Sequence, residues 1–498
     1  MKKRASGILL HITSLPSKYG IGDLGPAAYE FADFLAKTYQ RYWQILPVNP
    51  PAFPNTHCPY YTLSAFAGNP SLISPELLYR SSLLKKADLG NIPVFPTAKA
   101  DFKKAVKYKS ALLDKAFNRF RTKPKNPAYK KFCAANRSWL DDYALFTALK
   151  TNLDSKAWPD WPAGLKNRKP DALKTAKIKF RQAIDKERFL QFEFYTQWTL
   201  LKKYCKKQGV SFIGDVTIYV AHDSADVWTH PDIFKLNANK KPKFVSGTPP
   251  DYYCKKGQLW GNPVYDWARL KKTGYSWWIK RFEHNLKLFD IVRIDHFRAF
   301  IAYWQVPASH KTAAKGKWIK AHAESFFGKL LKRIPKDSLI CEDLGHITPN
   351  VRKFIDKHDL TRMKVMLYAF EGDPDKNPHC THNYVRNSVV YTGTHDNNTV
   401  KGWFTKESKA VQRKKLFDFL GRSIPSSQVH WELVRLALSS PSKLAIIPVQ
   451  DILGLDHRAR MNRPGSLKGN WNWRLERNQI RPNTIYKLKQ MTETFGRA

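Results

Sequence analysis

Apolar positions along the chain fall into two kinds of run. Short apolar stretches of strand length occur at residues 7–12, 42–48, 212–220, 289–294, 338–341, 364–369, 388–392 and 443–449. Between most of them lie longer segments whose apolar positions recur at helical spacing, at 26–38, 192–207, 277–288, 323–332, 348–357 and 430–438. Strands that alternate with helices argue for a parallel sheet, and eight is the number of strands that closes a barrel.

The spacing of the strands is uneven. About 165 residues separate the second run from the third and nearly 70 the third from the fourth, too long for structureless loops in a compact domain. The first gap predicts an inserted, mainly helical subdomain at 71–190, supported by the periodic stretch 101–121 and the tryptophan–proline cluster AWPDWP at 157–162. The second, at 221–276, contains SGTPPDYY and GQLWGNP and reads as an inserted Gly- and Pro-rich ordered loop or subdomain over the active site at the mouth of the barrel. The expected fold class is therefore α/β: a (β/α)8 TIM barrel with large helical and loop insertions, one elaborated catalytic unit over residues 1–498.

Composition narrows the setting. The net charge of +44 admits an anionic partner such as nucleic acid or lipid, but a surface that is Lys-rich throughout accounts for it better. The densest basic stretch, 101–137, has neither zinc-finger spacing nor an aromatic RNA-binding signature, so no nucleic acid is firmly indicated. Cys58, Cys133, Cys205, Cys254, Cys341 and Cys380 form no Cys-x-x-Cys pair, which fits a reducing cytosol. The basic start MKKR precedes an apolar run broken at once by His11 and Thr13, too short for a secretory signal, and no stretch has the length of a membrane span. A soluble, cytoplasmic protein, monomeric or a small homo-oligomer, is expected.

Barrel enzymes carry their chemistry at the carboxyl ends of the strands. There the chain places Asp215 (FIGDV), Arg293 and Asp295 (VRIDHF), Glu342 and Asp343 (CEDLG), and His395 and Asp396 (TGTHDNN). One such acid is ordinarily a helix cap or half of an ion pair, but three directed to one mouth require a common purpose. A divalent cation is one, and glycosyl transfer with a nucleophilic and a protonated carboxyl is the other. Arg293 lies two residues before Asp295 on one strand and so shares its face, where a guanidinium would lower the carboxyl's pKa. That favours the sugar site, since a metal would supply the charge itself.

The motifs SGILLHITSLPSKYGIGDLG, QRYWQILPV, SAFAGNP, ADVWTHP, GTPPDYY, WGNPVYDW, VRIDHFRAF, EDLG, TGTHDNNT, RMNRPG and GNWNWR resemble, nearly end to end, the amylomaltase or disproportionating-enzyme family, glycoside hydrolase family 77, a relative of the alpha-amylases. The resemblance implies a retaining 4-alpha-glucanotransferase of maltodextrin and glycogen metabolism, with alpha-1,4-glucan donors, glucose or maltodextrin acceptors, no cofactor and no metal. It implies that Asp295 is the nucleophile, Glu342 the general acid and base, and Asp396 the carboxylate that grips the sugar's hydroxyls. Tyr60 matches the ring beneath the transferred glucose. Arg293 and His395 match residues that position Asp295 and the sugar. Ser64, Asp215, Asp251, Gln258, Trp260 and Asn462 match further substrate-binding positions, three of them (Asp251, Gln258, Trp260) on the loop over the cleft. Thr56-His57-Cys58 replaces the family's usual Gly-Asp-Ser, and Thr217 stands where it usually has Pro. An alpha-1,4-glucan hydrolase, or an idle glucan-binding protein, is the alternative; the complete acid set argues against the second.

Overall fold

The computed structural model describes residues 3–52, 57–124, 126–250, 255–466 and 468–498. Twelve strands are formed among them: β1 (Ala5–Leu9), β2 (Tyr42–Gln44), β3 (Ser211–Val216), β4 (Phe244–Thr248), β5 (Gln258–Pro263), β6 (Ile291–Ile294), β7 (Ala302–Pro307), β8 (Lys317–Lys320), β9 (Leu339–Cys341), β10 (Thr361–Val365), β11 (Ser388–Tyr391) and β12 (Leu444–Pro448). Eight close a barrel in the order β1-β12-β11-β10-β9-β6-β3-β2, every pairing parallel. Each contains or overlaps one of the eight apolar runs, so the expected fold class is observed.

Strand parity fills the interior. Ala5, Leu9, Ile213, Ile291, Ile340, Met363, Val389, Tyr391, Leu444 and Ile446 form one buried cluster inside the barrel. Gly7, between Ala5 and Leu9 on the same face, has no room for a side chain. A Cβ there would lie 2.4 Å from the Tyr42 carbonyl oxygen and 2.9 Å from Ile446. The outward residues of the strands join the much larger cluster beneath the helices.

The long gap between β2 and β3 is occupied chiefly by the helices Phe102–Thr122, Pro127–Asn152 and Arg181–Lys207. Asp101 and Asn126 cap the first two by accepting backbone N–H groups, as acceptors placed just before an apolar-periodic run do. Trp158 and Trp161 are buried, and Trp161 meets Trp228 edge to face at 5.5 Å, joining this region to the chain just after β3. The helix Arg181–Lys207 also splints the segment after β2: Gln191 pairs with both backbone groups of Gly68, Gln197 accepts from Ser74 N, and the Tyr195 hydroxyl donates to Phe66 O.

The second gap holds strands as well as loop. β4 and β5 form an antiparallel sheet with β7 and β8, in the order β5-β4-β7-β8, beside the barrel mouth. Gly and Pro around these short strands hide them from a reading by apolar runs, and their partners β7 and β8 come from beyond β6. Among the described residues no helix is long and apolar enough to cross a membrane.

Candidate active site

The carboxyl ends of β3, β6 and β9 lie side by side. Asp215 stands opposite Arg293 in the β3–β6 register, and the ladder runs one step past the strands: Asp295 N donates to Val216 O and Glu342 N to Ile294 O. Because Ile291, Arg293 and Asp295 share parity, the arginine and the acid both follow Ile291 toward the barrel axis.

Arg293 organises the mouth. Only 2 % exposed, its Nη1 donates to Asp215 Oδ2 at 2.6 Å and to Asp295 Oδ1 at 3.3 Å, and its Nη2 to Glu342 Oε2 at 2.7 Å. Glu342 Oε2 also accepts from His296 N at 2.7 Å, across a left-handed backbone turn at His296 (φ 46°) that immediately follows Asp295. Asp215 Oδ2 takes a further 2.6 Å bond from the Tyr60 hydroxyl. Burial and the neighbouring Glu342 raise the Asp295 carboxyl well above the usual carboxylate range, while Arg293 pulls it down. The pull of Arg293 has the expected sign, but it is outweighed. Carboxylates crowded onto one buried guanidinium thus disfavour ionisation of Asp295 despite the positive charge beside it.

Asp396 reaches the site differently. It lies five residues beyond the end of β11, and β10 intervenes between β9 and β11, so its carboxylate comes in on a loop and not directly at a neighbouring strand end. Its Oδ1 accepts from Asn462 Nδ2 at 2.6 Å, and its Oδ2 lies 3.4 Å from His395 Nε2. His395 stacks on Tyr60 with ring centroids 5.1 Å apart; burial lowers its pKa, opposed first by Asp396. Trp471 completes the aromatic wall, 5.8 Å from Tyr60 and 5.9 Å from His395. The Trp260 ring meets His296, the residue after Asp295, edge-on at 4.8 Å, and its Nε1 donates to Gln258 Oε1.

The structure thus brings Tyr60, Asp215, Arg293, Asp295, Glu342, His395, Asp396 and Asn462 into one contact network, with Gln258 and Trp260 joined to it through His296. Ser64 is buried, and its Oγ accepts from Phe66 and Ala67 N, closing the turn of its own segment. Asp343 turns away to accept from Met363 N on β10. Asp251, Tyr252, Tyr253, Cys254 and Thr56 lie outside the described residues. Of the other departures, His57 stacks on Phe102 at 4.2 Å, burial pushes the Cys58 thiol up to about 11, and Thr217 Oγ1 accepts from the buried Arg281. Trp471 and Arg460 sit in motifs already noted, GNWNWR and RMNRPG, but nothing in either motif separates them from their neighbours. Glu407, which pairs with Arg460, has no signal in the sequence at all.

A closed parallel barrel with acids gathered on an arginine at its carboxyl mouth is the architecture of a sugar-processing barrel enzyme. The sequence profile of glycoside hydrolase family 77, 4-alpha-glucanotransferase, matches residues 10–479. The chain is 44 % identical to the 4-alpha-glucanotransferase of Aquifex aeolicus over 99 % of both proteins, and 42 % identical to that of Thermus thermophilus, again over 99 % of each. It superposes on an amylomaltase from Streptococcus agalactiae, solved in complex with acarbose, with a TM-score of 0.96 at 34 % identity over the full length of both chains. The chain belongs to the 4-alpha-glucanotransferase family and is an enzyme of that activity; simple hydrolysis or idle glucan binding is not favoured.

Proposed function

We propose that transfer proceeds by double displacement on alpha-1,4-linked maltodextrins, with Asp295, Glu342 and Asp396 in three distinct roles. The Asp295 carboxylate attacks the anomeric carbon as the glycosidic C–O bond breaks, and Glu342 gives its proton to the departing sugar oxygen. An acceptor's 4-hydroxyl then returns a proton to Glu342 and attacks the same carbon, and the ester to Asp295 breaks. Asp396 binds the hydroxyls of the transferred glucose as positive charge develops on its ring, with Tyr60 and His395 beneath and beside it. Arg293, Asp215 and Asn462 orient the acids, Gln258 and Trp260 flank the acceptor side, and Ser64 acts through the turn it closes.

The observation that carries this reading is the guanidinium of Arg293 shared between Asp295 and Glu342. It supports two carboxyls within the roughly 5 Å that a retaining mechanism needs, one to act as nucleophile and one as acid. Both donors to Glu342 fall on Oε2, which leaves Oε1 free to face the leaving sugar oxygen. The guanidinium also sits where a cation bridging the acids would otherwise be wanted. The regions 71–190 and 221–276 are read as additions to one catalytic unit, the second covering the acceptor side. Free thiols at Cys58, Cys133, Cys205, Cys341 and Cys380 support a cytoplasmic setting in maltodextrin or glycogen metabolism.

Glu342→Gln incubated with a maltosyl fluoride tests the assignment. Fluoride leaves without a proton, whereas release of the intermediate needs the base, so a glycosyl adduct should accumulate. Peptide mass spectrometry should find it on Asp295; an adduct on another residue overturns the scheme.

A further inference from the structure

Asp396 is the least sheltered of the acids at the mouth. Its side chain is 41 % exposed, and it rides on a loop, so burial does not fix its direction. Beyond the His395 contact and a 3.3 Å bond from its own N–H to Thr394 Oγ1, what holds it traces to one side chain. Arg460 donates through Nη2 to the Asp396 carbonyl oxygen, through Nε to the Asn462 carbonyl oxygen and through Nη1 to Glu407 Oε1, each at 2.7 Å. Asn462 in turn bonds the Asp396 carboxylate, and its N–H donates to His395 O. Glu407 Oε1 accepts a second bond, from Asn398 Nδ2 at 3.0 Å, two residues along the same loop from Asp396. Glu407 ends a five-residue π-helix, Trp403–Glu407, a local winding that recurs at functional sites.

We infer that Arg460 and Glu407 form a clamp that sets the direction of the Asp396 carboxylate toward the transferred sugar, making both of them positioning residues for the transfer step. The planar fork of the guanidinium is what permits three acceptors to be held at once, and a lysine ammonium would not reproduce that geometry. Glu407 fixes the fork and the loop together, since Arg460 and Asn398 converge on one of its oxygens. Displacement of a reacting-site group by about 1 Å costs about a hundredfold in rate, so a clamp on the backbone of Asp396 acts on turnover more than on binding.

The inference rests on the proposed grip of Asp396 on the sugar's hydroxyls, and the test separates the two. Transfer is measured for wild type, Asp396→Asn, Arg460→Met, Arg460→Lys and Glu407→Leu, using α-glucosyl fluoride and its 2-deoxy and 3-deoxy forms as donors and maltose as acceptor. Asp396→Asn should erase most of the penalty that wild type shows for the deoxy donors. Arg460→Met should lower kcat about a hundredfold with KM within threefold and shrink the deoxy penalty about tenfold. Arg460→Lys and Glu407→Leu should show the same two changes, less strongly. A penalty lost in Asp396→Asn but intact in Arg460→Met and Glu407→Leu overturns the clamp alone, even if their kcat or unfolding midpoint falls, because that is the signature of a merely structural contact. An intact penalty in Asp396→Asn overturns the grip and the purpose of the clamp together. Should Arg460→Met fail to fold, Glu407→Leu and Arg460→Lys decide the matter by the same ratio.

Discussion

Replacing Arg293 by Met removes the cation from three acids while keeping much of the side-chain volume. Arg293 is 2 % exposed, and Asp215, its closest partner, is fully buried, so water cannot take the place of the guanidinium without rearrangement. Taking away one partner of a buried ion pair ordinarily costs about 3–5 kcal/mol, and that is the destabilisation expected at pH 8. The cost should depend on pH with a definite sign. Arg293 is the chief influence lowering the Asp295 carboxyl, which burial and Glu342 already raise. Without it the folded-state pKa rises further, and an acid with a raised folded pKa binds more protons folded than unfolded. The variant therefore gains stability relative to wild type as the pH falls, and each unit of added shift is worth about 1.4 kcal/mol. Urea unfolding followed by circular dichroism and by tryptophan fluorescence, at pH 5 and pH 8, measures both quantities. The gap from wild type should be large at pH 8 and narrower at pH 5, and kcat should fall at least about a hundredfold. A gap under about 1 kcal/mol at pH 8, or one that widens as the pH falls, would refute the assignment of Arg293 as counter-charge to these acids.

Three further outcomes are expected. Glu342→Gln should lose far more activity on maltotriose than in the first, glycosyl-releasing step on maltosyl fluoride; equal losses would remove the acid role, since only the sugar leaving group needs a proton. Trp260→Ala should raise the ratio of hydrolysis to transfer, followed as reducing ends gained against glucose released from maltotriose, because the indole stands beside His296 next to Asp295 and would help keep water from the ester; a fall in both rates at constant ratio would make Trp260 scaffolding. Glu193, 6 % exposed, is raised to about 7 by burial with Lys123 opposing, so its ionisation in the folded state costs about 3 kcal/mol of stability, absent below pH 4 and complete above pH 7. Glu193→Gln should therefore be more stable than wild type at pH 8 and nearly equal at pH 4.5, and a gap independent of pH would contradict this.

Much of the barrel was legible because its strands are apolar runs between periodic segments, and misreadings cluster where an apolar run outlasts its strand. The run at 364–369 marks β10, but the strand is Thr361–Val365, and Met366–Tyr368 is a 3-10 turn that buries Met366 and Leu367. Both environments select apolar residues, so the run alone cannot divide them. Residues 45–48 are likewise buried but lie beyond β2. The sheet of β4, β5, β7 and β8 went unread for a different reason. Its strands pair across the intervening β6, and pairing partners are invisible to a local pattern.

At the mouth of the barrel, the order of residues along the chain already placed Arg293 and Asp295 on one face and put Asp215 and Glu342 at strand ends, because parity and strand length are local properties. Tertiary structure decided how those groups share charge. The sequence shows Arg293 beside Asp295 and implies a lowered pKa. The fold sets Glu342 on the same guanidinium and buries the group, and the sum runs the other way, since burial and every charge brought near from elsewhere act together on one proton. The same reason separates Asp396 from what holds it. Arg460 and Glu407 lie 64 and 11 positions away, and only the closing of the barrel brings a guanidinium from beyond β12 and a carboxylate from a π-helix onto one loop.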